Sequence, residues 1–230
     1  MPTIGENLEK IRARMAAAAR RAQRDPGSVR LVAVTKGVGP ERIREAVAAG
    51  QGLFGENYLQ EALGKIEQCG PGLNWHFIGH LQGNKAKDAA RHFACVQTVD
   101  RPKLALALEK QAAGCDRVLP VLLQVNIGRE AQKSGALPEE TASLLAALAA
   151  CPHLRVRGLM AMPPDLPDPE AGRPYFRQLR QLADDLVARG LLGSQGPVEL
   201  SMGMSGDFEV AIEEGATLVR IGTALFGTRS

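Results

Sequence analysis

Aromatic side chains are scarce in this chain. They make up 4% of the 230 residues, with a single tryptophan, whereas hydrophobic residues as a class reach 45%. Such a chain can bury a sizeable core, which must be built from leucine, valine, isoleucine and alanine. Cysteines are few and scattered, with no C-x-x-C pair among Cys69, Cys95, Cys115 and Cys151. Their spacing argues against a zinc site or a disulfide framework, and we expect no bound metal and a reducing compartment.

Extremes of charge and long apolar runs are absent as well. The 28 lysines and arginines nearly balance the 25 acidic residues, and no basic cluster is interleaved with aromatics. This composition does not indicate a nucleic-acid partner. No apolar run reaches the length of a membrane span, and the first residues lack the hydrophobic segment of a signal peptide. We therefore expect a cytoplasmic protein that binds neither nucleic acid nor a membrane.

The chain alternates between helix-like and strand-like hydrophobic patterns. Residues 5–24 carry apolar side chains at helical spacing and predict an amphipathic first helix, ended by a turn at 25–27. Eight strand-like segments follow, separated by helical patterns: 29–36, 52–55, 74–78, 94–99, 118–125, 154–160, 198–200 and 217–221. With no long polar linker between them, they predict an α/β fold, a (β/α)8 TIM barrel with an extra N-terminal helix, as a single domain over residues 1–230.

An open, doubly wound sheet is the main alternative fold. Such a sheet more often carries a glycine-rich turn directly after its first strand, where a dinucleotide would bind. The segment from Lys36 to Pro40 follows the first predicted strand here, and it does not have the G-x-G-x-x-G spacing. The absence of that turn favours the closed barrel.

The first predicted strand ends at Lys36. In parallel α/β folds, ligands bind outside the carboxyl ends of the strands, so this amine is placed to face a ligand. A lysine there can form a Schiff base with an aldehyde when its surroundings favour the neutral amine. The alternative is an ordinary solvated lysine in the loop between strand and helix.

Two loops near the end of the chain resemble an anion-binding site. Residues 201–206 follow the seventh predicted strand and offer hydroxyls, glycine backbone and a helix N-terminus, which together attract an anion. Gly222 and Thr223 follow the eighth strand and could add an amide and a hydroxyl. Loops after strands seven and eight of a barrel commonly bind phosphate. The alternative is a helix capped by Ser205, with glycines that only form the turn.

Other polar residues also follow predicted strands. Arg220 ends the last strand, where a charge needs either a carboxylate or a ligand atom that accepts a hydrogen bond. Asn57 and Asn126 each follow a strand and could bond a ligand or only satisfy a turn. His76 and His80 are four residues apart but span a strand and a turn, so they do not predict a metal-binding pair.

Seven short motifs carry a resemblance to a known family. In order they are VAVTK at 32–36, FGENY at 54–58, WHFIGHLQ at 75–82, NIGRE at 126–130, GLMAMP at 158–163, LSMGMS at 200–205 and VRIGTALFG at 219–227. Together they resemble the pyridoxal phosphate homeostasis protein family, whose members are single-domain barrels that bind pyridoxal 5'-phosphate (PLP). The resemblance covers nearly the whole chain.

The resemblance implies a role for each of six cofactor-binding residues. Lys36 would hold PLP as a Schiff base, Arg220 would face the pyridine nitrogen, and Asn57 would lie near the ring. The phosphate would be bound by Ser201, Gly222 and Thr223. The chain departs from the family at residue 83, where glycine replaces a frequent serine, and none of the six positions is affected. No catalytic residue is implied.

Three functions remain open at this point. The first is a monomeric protein of intracellular vitamin B6 homeostasis that buffers PLP or delivers it to apo forms of PLP-dependent enzymes, without catalysis. The second is a one-domain racemase or decarboxylase, since alanine racemase and ornithine decarboxylase share the fold. Those enzymes use a second, β-rich domain, however, and the predicted barrel takes up all 230 residues here. The third is an aldolase that uses Lys36 as a Schiff-base lysine without any cofactor.

Overall fold

Eight parallel strands close into a barrel in a computed structural model that describes residues 2–227. The strands pair in chain order, and the first also pairs with the last. They are β1 (Arg30–Val34), β2 (Leu53–Glu56), β3 (Asn74–Phe77), β4 (Cys95–Val99), β5 (Leu119–Val125), β6 (Leu154–Ala161), β7 (Glu199–Ser201) and β8 (Leu218–Ile221). The predicted (β/α)8 barrel is confirmed, and each strand lies within two residues of its predicted bounds.

Helices follow the strands and surround the barrel. They are α1 (Ile4–Arg21), α2 (Pro40–Ala48), α3 (Leu59–Cys69), α4 (Ala86–His92), α5 (Pro102–Ala113), α6 (Thr141–Leu148), α7 (Arg173–Ala188), α8 (Phe208–Glu213) and α9 (Thr223–Phe226). The first helix begins one residue earlier and ends three residues earlier than predicted. Its end is marked by Gln23, which adopts a left-handed backbone with φ of 56° that interrupts helical geometry.

Most of the core lies between the outer face of the barrel and the helices. It is largely aliphatic, as the composition predicted, although five of the six phenylalanines are fully buried in it: Phe54, Phe77, Phe93, Phe176 and Phe208. A smaller apolar cluster fills the barrel interior, formed by Val32, Cys95, Leu122, Met160 and Leu218. The closed interior is therefore a packed core, and ligands are confined to its two ends.

Three further observations concern metal clusters, membrane-spanning helices and disulfides. Within residues 2–227, no cluster of three or more histidine, cysteine or acidic side chains could hold a metal ion. None of the helices in the described part of the chain combines the length and apolarity needed to cross a membrane. All four cysteines are free thiols, so no disulfide contributes to this fold.

Candidate functional site

A cavity of about 240 Å³ opens at the carboxyl ends of β1, β2 and β8. Five of the six predicted site residues line it together: Lys36, Asn57, Arg220, Gly222 and Thr223. The rest of its wall is formed by Val34, Ile78, Met162, Met204, Ser205 and Gly206. Residues from both ends of the chain thus meet here because the first and last strands pair when the barrel closes.

Lys36 lies in a turn just beyond β1, two residues after the strand ends at Val34. The amide of Val38 donates to the carbonyl of Thr35 over 2.9 Å, and Gly37 adopts a φ of 71°, which favours glycine. The Lys36 side chain is half-buried at the cavity wall. Within residues 2–227 its amine makes no hydrogen bond or ion pair. It is therefore available to a ligand.

A buried ion pair holds one side of this turn. The ammonium of Lys65 lies 2.6 Å from Glu56 Oε1 and donates to the carbonyl of Thr35 over 2.5 Å. The Thr35 hydroxyl donates to the same Glu56 oxygen over 2.6 Å. Burial raises the pKa of Glu56, while the hydrogen bonds from Lys65 and Thr35 act in the opposite direction. Both partners of Glu56 Oε1, Lys65 and Thr35, therefore also fix the backbone directly before the site lysine.

Glu61 holds the other side of the turn. Its Oε1 accepts from the amide of Gly37 over 2.6 Å and lies 2.5 Å from the Lys65 ammonium. Sequence reasoning missed this arrangement, although Glu61 and Lys65 have the (i, i+4) spacing of a helical ion pair. The residues on both sides of Lys36 are thus bonded to one charged cluster, which fixes the backbone from which the Lys36 side chain extends.

Arg220 forms the floor of the cavity. Its side chain is buried, and it donates to Ser201 Oγ over 2.8 Å and to the carbonyl of Ala161 over 2.9 Å. Burial lowers the pKa of Arg220 to about 10, and the charge of Asp207 opposes that shift. Arg220 remains cationic at neutral pH, and its remaining N–H groups can donate to a ligand.

Ser201 is not brought to the cavity wall. It ends β7, and the alternation of side chains along the strand directs it into the barrel, where it is fully buried. Its oxygen accepts from Arg220, and its proton is donated to Gln97 Oε1 over 2.6 Å. The geometry thus disagrees with the prediction that Ser201 binds a phosphate, because its hydroxyl already has both partners beneath Arg220.

Ser205 and Gly206 line the cavity instead. The Ser205 hydroxyl oxygen accepts from the amide of Ala224 over 3.3 Å, which joins the loop after β7 to the first turn of α9. Its own proton remains available to a ligand. Ser205 is not a helix cap, since α8 begins after Asp207, whose carboxylate accepts from the amide of Met204 over 2.6 Å. The second serine of the LSMGMS motif was the signal for this position.

Asn57 presents an unpaired acceptor at the cavity wall. Its Oδ1 is buried and has no hydrogen-bond partner within the described residues. Gly79 allows the Asn57 backbone to take this position, since a Cβ at residue 79 would lie 2.0 Å from the Asn57 carbonyl oxygen. Buried acceptors in folded proteins are nearly always satisfied. This atom therefore indicates a ligand that donates a hydrogen bond.

The remaining predicted polar residues serve other purposes. The Asn126 side chain closes its own turn, donating to the carbonyl of Glu130 over 2.9 Å and accepting from that residue's amide over 3.1 Å. His76 Nδ1 lies 2.7 Å from the Gln97 amide nitrogen. His80 Nδ1 lies 3.2 Å from the hydroxyl of Ser134. The two histidines therefore have separate partners.

Comparison with known proteins shows the family of this chain. A family model described as alanine racemase, N-terminal domain, matches residues 7–230. The pyridoxal phosphate homeostasis protein of Pseudomonas aeruginosa is 50% identical over 230 residues, which cover 100% of this chain and 97% of that protein. The chain belongs to this family. The pyridoxal phosphate homeostasis protein of Escherichia coli K12 is 44% identical and is covered over 98% of its length.

Solved structures separate the family from enzymes that share its fold. PipY of Synechococcus elongatus, solved with PLP bound, has a TM-score of 0.84 and 37% identity, with 98% of this chain and 100% of that chain covered. Alanine racemase of Corynebacterium glutamicum has a TM-score of 0.69 and 20% identity, which shows a common fold alone. The match covers 96% of this chain and 61% of the racemase.

Proposed function

We propose that this chain binds pyridoxal 5'-phosphate at the upper cavity, the one lined by Lys36 and Arg220, and acts in PLP homeostasis. One observation carries the proposal: an unpaired amine, a buried guanidinium and an unpaired asparagine oxygen converge on a single cavity at the carboxyl ends of the strands. PLP offers an aldehyde, a phosphate, a ring hydroxyl and a pyridine nitrogen. The relatives named for PLP homeostasis, and PipY with PLP bound, support this choice of ligand.

Each chemical group of the cofactor has a partner in the cavity wall. The Lys36 amine would attack the aldehyde and, with loss of water, form a Schiff base. The hydroxyls of Ser205 and Thr223 would donate to the phosphate, alongside the backbone of Gly222. Arg220 would donate to the pyridine nitrogen, and Asn57 Oδ1 would accept from the ring hydroxyl.

The side chains that line the cavity favour binding of PLP without catalysis. Racemisation needs an acid or base on each face of the reacting carbon. Apart from Lys36 and Arg220, the described residues that line the cavity carry no ionisable side chain, since the lining contains no carboxylate, histidine, tyrosine or cysteine, and Arg220 stays cationic. Gly206 and Thr223 are exposed at the opening, so the cofactor could be released to solvent or a partner.

The setting of this function is part of the same proposal. Four free thiols fit a reducing compartment, so we place the protein in the cytoplasm, acting as a monomeric barrel domain. Recipients of the cofactor would be apo forms of PLP-dependent enzymes, which capture released PLP with their own lysines. An open cavity with one reactive amine suits this exchange, because formation of a Schiff base at Lys36 is reversible and its hydrolysis would release the cofactor.

An assay for turnover and transfer tests the proposal. PLP-loaded protein incubated with a panel of L-amino acids is expected to change their chirality, or release carbon dioxide, no faster than free PLP at equal concentration. The same protein is expected to restore activity to an apo PLP-dependent enzyme. Fast turnover that disappears in Lys36→Ala would establish the one-domain racemase or decarboxylase instead. A colourless purified protein that cleaves aldols without added PLP would establish the cofactor-free aldolase.

Ser201 at the end of β7 and Ser205 in the loop after it are expected to behave differently when each is replaced. Ser205→Ala should weaken PLP binding roughly tenfold or more and leave pyridoxal binding unchanged, because a hydrogen bond to a charged phosphate contributes about 1.5–3 kcal/mol. Ser201→Ala should weaken both ligands by similar factors, because it acts through the position of Arg220. Dissociation constants for both ligands measure this, with Thr223→Val as a second phosphate-site variant. A phosphate-selective loss in Ser201→Ala would reverse the assignment.

A further inference from the structure

A second cavity, the lower cavity, lies at the opposite end of the barrel. It has a volume of about 710 Å³, which is in the range of small-molecule binding sites. Its walls come from α1, the turn after it, and the amino ends of β1, β2 and β3, and the polar side chains among them are Arg12, Arg30, Gln51, Asn74 and His76. No carboxylate side chain is among the described residues that line it. Nothing in the proposed PLP site accounts for this cavity.

The cationic groups around the lower cavity are incompletely neutralised. Arg12 donates to the carbonyl of Gly50 over 2.8 Å, a neutral partner that leaves its charge uncompensated. Arg30 lies 2.9 Å from Glu199, and the same carboxylate lies 3.6 Å from Arg157. Arg30 and Arg157 therefore share one carboxylate, and Arg12 has no acidic partner among the described residues, which gives this end of the barrel a local positive potential.

A hydrogen-bond chain of fixed direction leads from the upper cavity towards the lower one. Arg220 can only donate, so the Ser201 oxygen accepts from it and the Ser201 proton goes to Gln97 Oε1. The Gln97 side-chain nitrogen must then donate to His76 Nδ1, 2.7 Å away. His76 consequently carries its hydrogen on Nε2. Burial, with the charge of Arg30, lowers the pKa of His76 to about 4, which keeps this tautomer neutral.

The His76 side chain, which carries this hydrogen on Nε2, lies at the wall of the lower cavity. Its residue surface is only 6% exposed, yet it lines the cavity, and Nε2 has no hydrogen-bond partner within residues 2–227. The lower cavity therefore combines a buried, pre-oriented N–H donor with two guanidinium groups. Beside them lies an apolar wall that includes Met15, Leu31 and Leu53.

We propose that the lower cavity binds a small organic anion, in which a phosphate or carboxylate group meets Arg12, Arg30 and the His76 Nε2–H while an apolar portion packs on the neighbouring wall. Donors of this kind pre-organised around one cavity are the usual arrangement for an anionic metabolite. The site stands independently of the proposed PLP function, because none of the residues that would hold the anion lines the upper cavity.

Nitrogen-15 NMR of labelled histidine side chains tests this site. Phenyl phosphate and benzoate, which share a ring and differ in their anionic group, are titrated at constant ionic strength with and without saturating PLP. We expect a saturable shift of the His76 Nε2 resonance in both states, and the tighter of the two probes identifies the preferred anion. Arg12→Met should weaken binding at least fivefold, whereas Arg14→Met, on the same helix but outside the cavity, should change it less than twofold.

Several results would overturn the proposal. They are the lack of a saturable shift with either probe, a shift abolished by PLP, and equal losses in Arg12→Met and Arg14→Met. The second would place the anion in the upper cavity, and the third would reveal only general surface charge. Arg30→Met provides a second lower-cavity variant if Arg12→Met does not fold. Failure of PLP to bind would be seen separately, and the PLP-free titration would still decide the lower site.

Discussion

Lys65→Met is expected to lower the free energy of unfolding by about 3–5 kcal/mol, the usual cost of leaving one partner of a buried ion pair uncompensated. Glu56 is fully buried, and its carboxylate would keep only the Thr35 hydroxyl as a strong partner. The carbonyl of Thr35 would lose its donor as well. Urea unfolding at pH 7 measures the effect, with Lys87→Met on the exposed surface as the matched control, expected within about 0.5 kcal/mol of wild type.

The loss of unfolding free energy in Lys65→Met is also expected to depend on pH. Without Lys65 the pKa of Glu56, already raised by burial, can only rise further. A carboxyl whose folded pKa exceeds its unfolded pKa carries no penalty below the unfolded value, and the penalty grows as pH rises through the folded value. The deficit of Lys65→Met should therefore shrink as the pH is lowered, and adding Glu56→Gln should restore part of it at pH 7. A deficit below 1 kcal/mol, or one that grows in acid, would contradict the structural role of this pair.

Lys36→Ala is expected to abolish the visible absorption of the PLP-loaded protein without unfolding the barrel. The phosphate and ring contacts at Ser205, Thr223 and Arg220 remain, so weaker, non-covalent binding should persist. The unfolding free energy should change by less than about 0.5 kcal/mol, because the amine has no partner in the described structure. Absorption spectra and equilibrium dialysis with PLP measure the two effects.

Lys85→Ala is the control for this substitution, since Lys85 is also half-buried near the carboxyl ends of the strands but does not line the cavity. It should keep both the absorption and the affinity of wild type. Retained absorption in Lys36→Ala would mean that another amine captures the aldehyde. Loss of folding in that variant would mean that the site lysine also stabilises the turn, which its contacts do not indicate.

Much of this architecture follows from local pattern in the sequence. Apolar runs ended by polar residues predict parallel strands, and the carboxyl ends of parallel strands meet on one face of the fold. That reasoning brings Lys36, Asn57 and Arg220 to one cavity, although they are up to 184 residues apart in the chain. Strand order and side-chain alternation are sufficient for this result, and no detail of packing is needed.

Two features of the site could not be predicted from the sequence: the role of Ser201 and the buried Lys65–Glu56 pair. Both depend on the direction in which a side chain faces and on the distant residue that it contacts. Ser201 and Ser205 are chemically identical and only four residues apart, one at the end of β7 and the other in the loop that follows. Only the end of β7 at Ser201 decides that this side chain enters the barrel, where its partner Gln97 is 104 residues away. The Lys65–Glu56 pair was missed for a similar reason, because its burial depends on how α3 packs against the turn after β1.

Peptide mapping of the wild-type protein after loading with PLP and reduction by borohydride tests the central claim most directly. Reduction converts a Schiff base into a stable secondary amine, so the lysine that holds the cofactor keeps a pyridoxyl group through digestion. The cavity geometry predicts loss of visible absorption on reduction and a single labelled peptide that carries the modification on Lys36. A pyridoxyl group on another lysine with Lys36 unmodified, or no label at all, would contradict it.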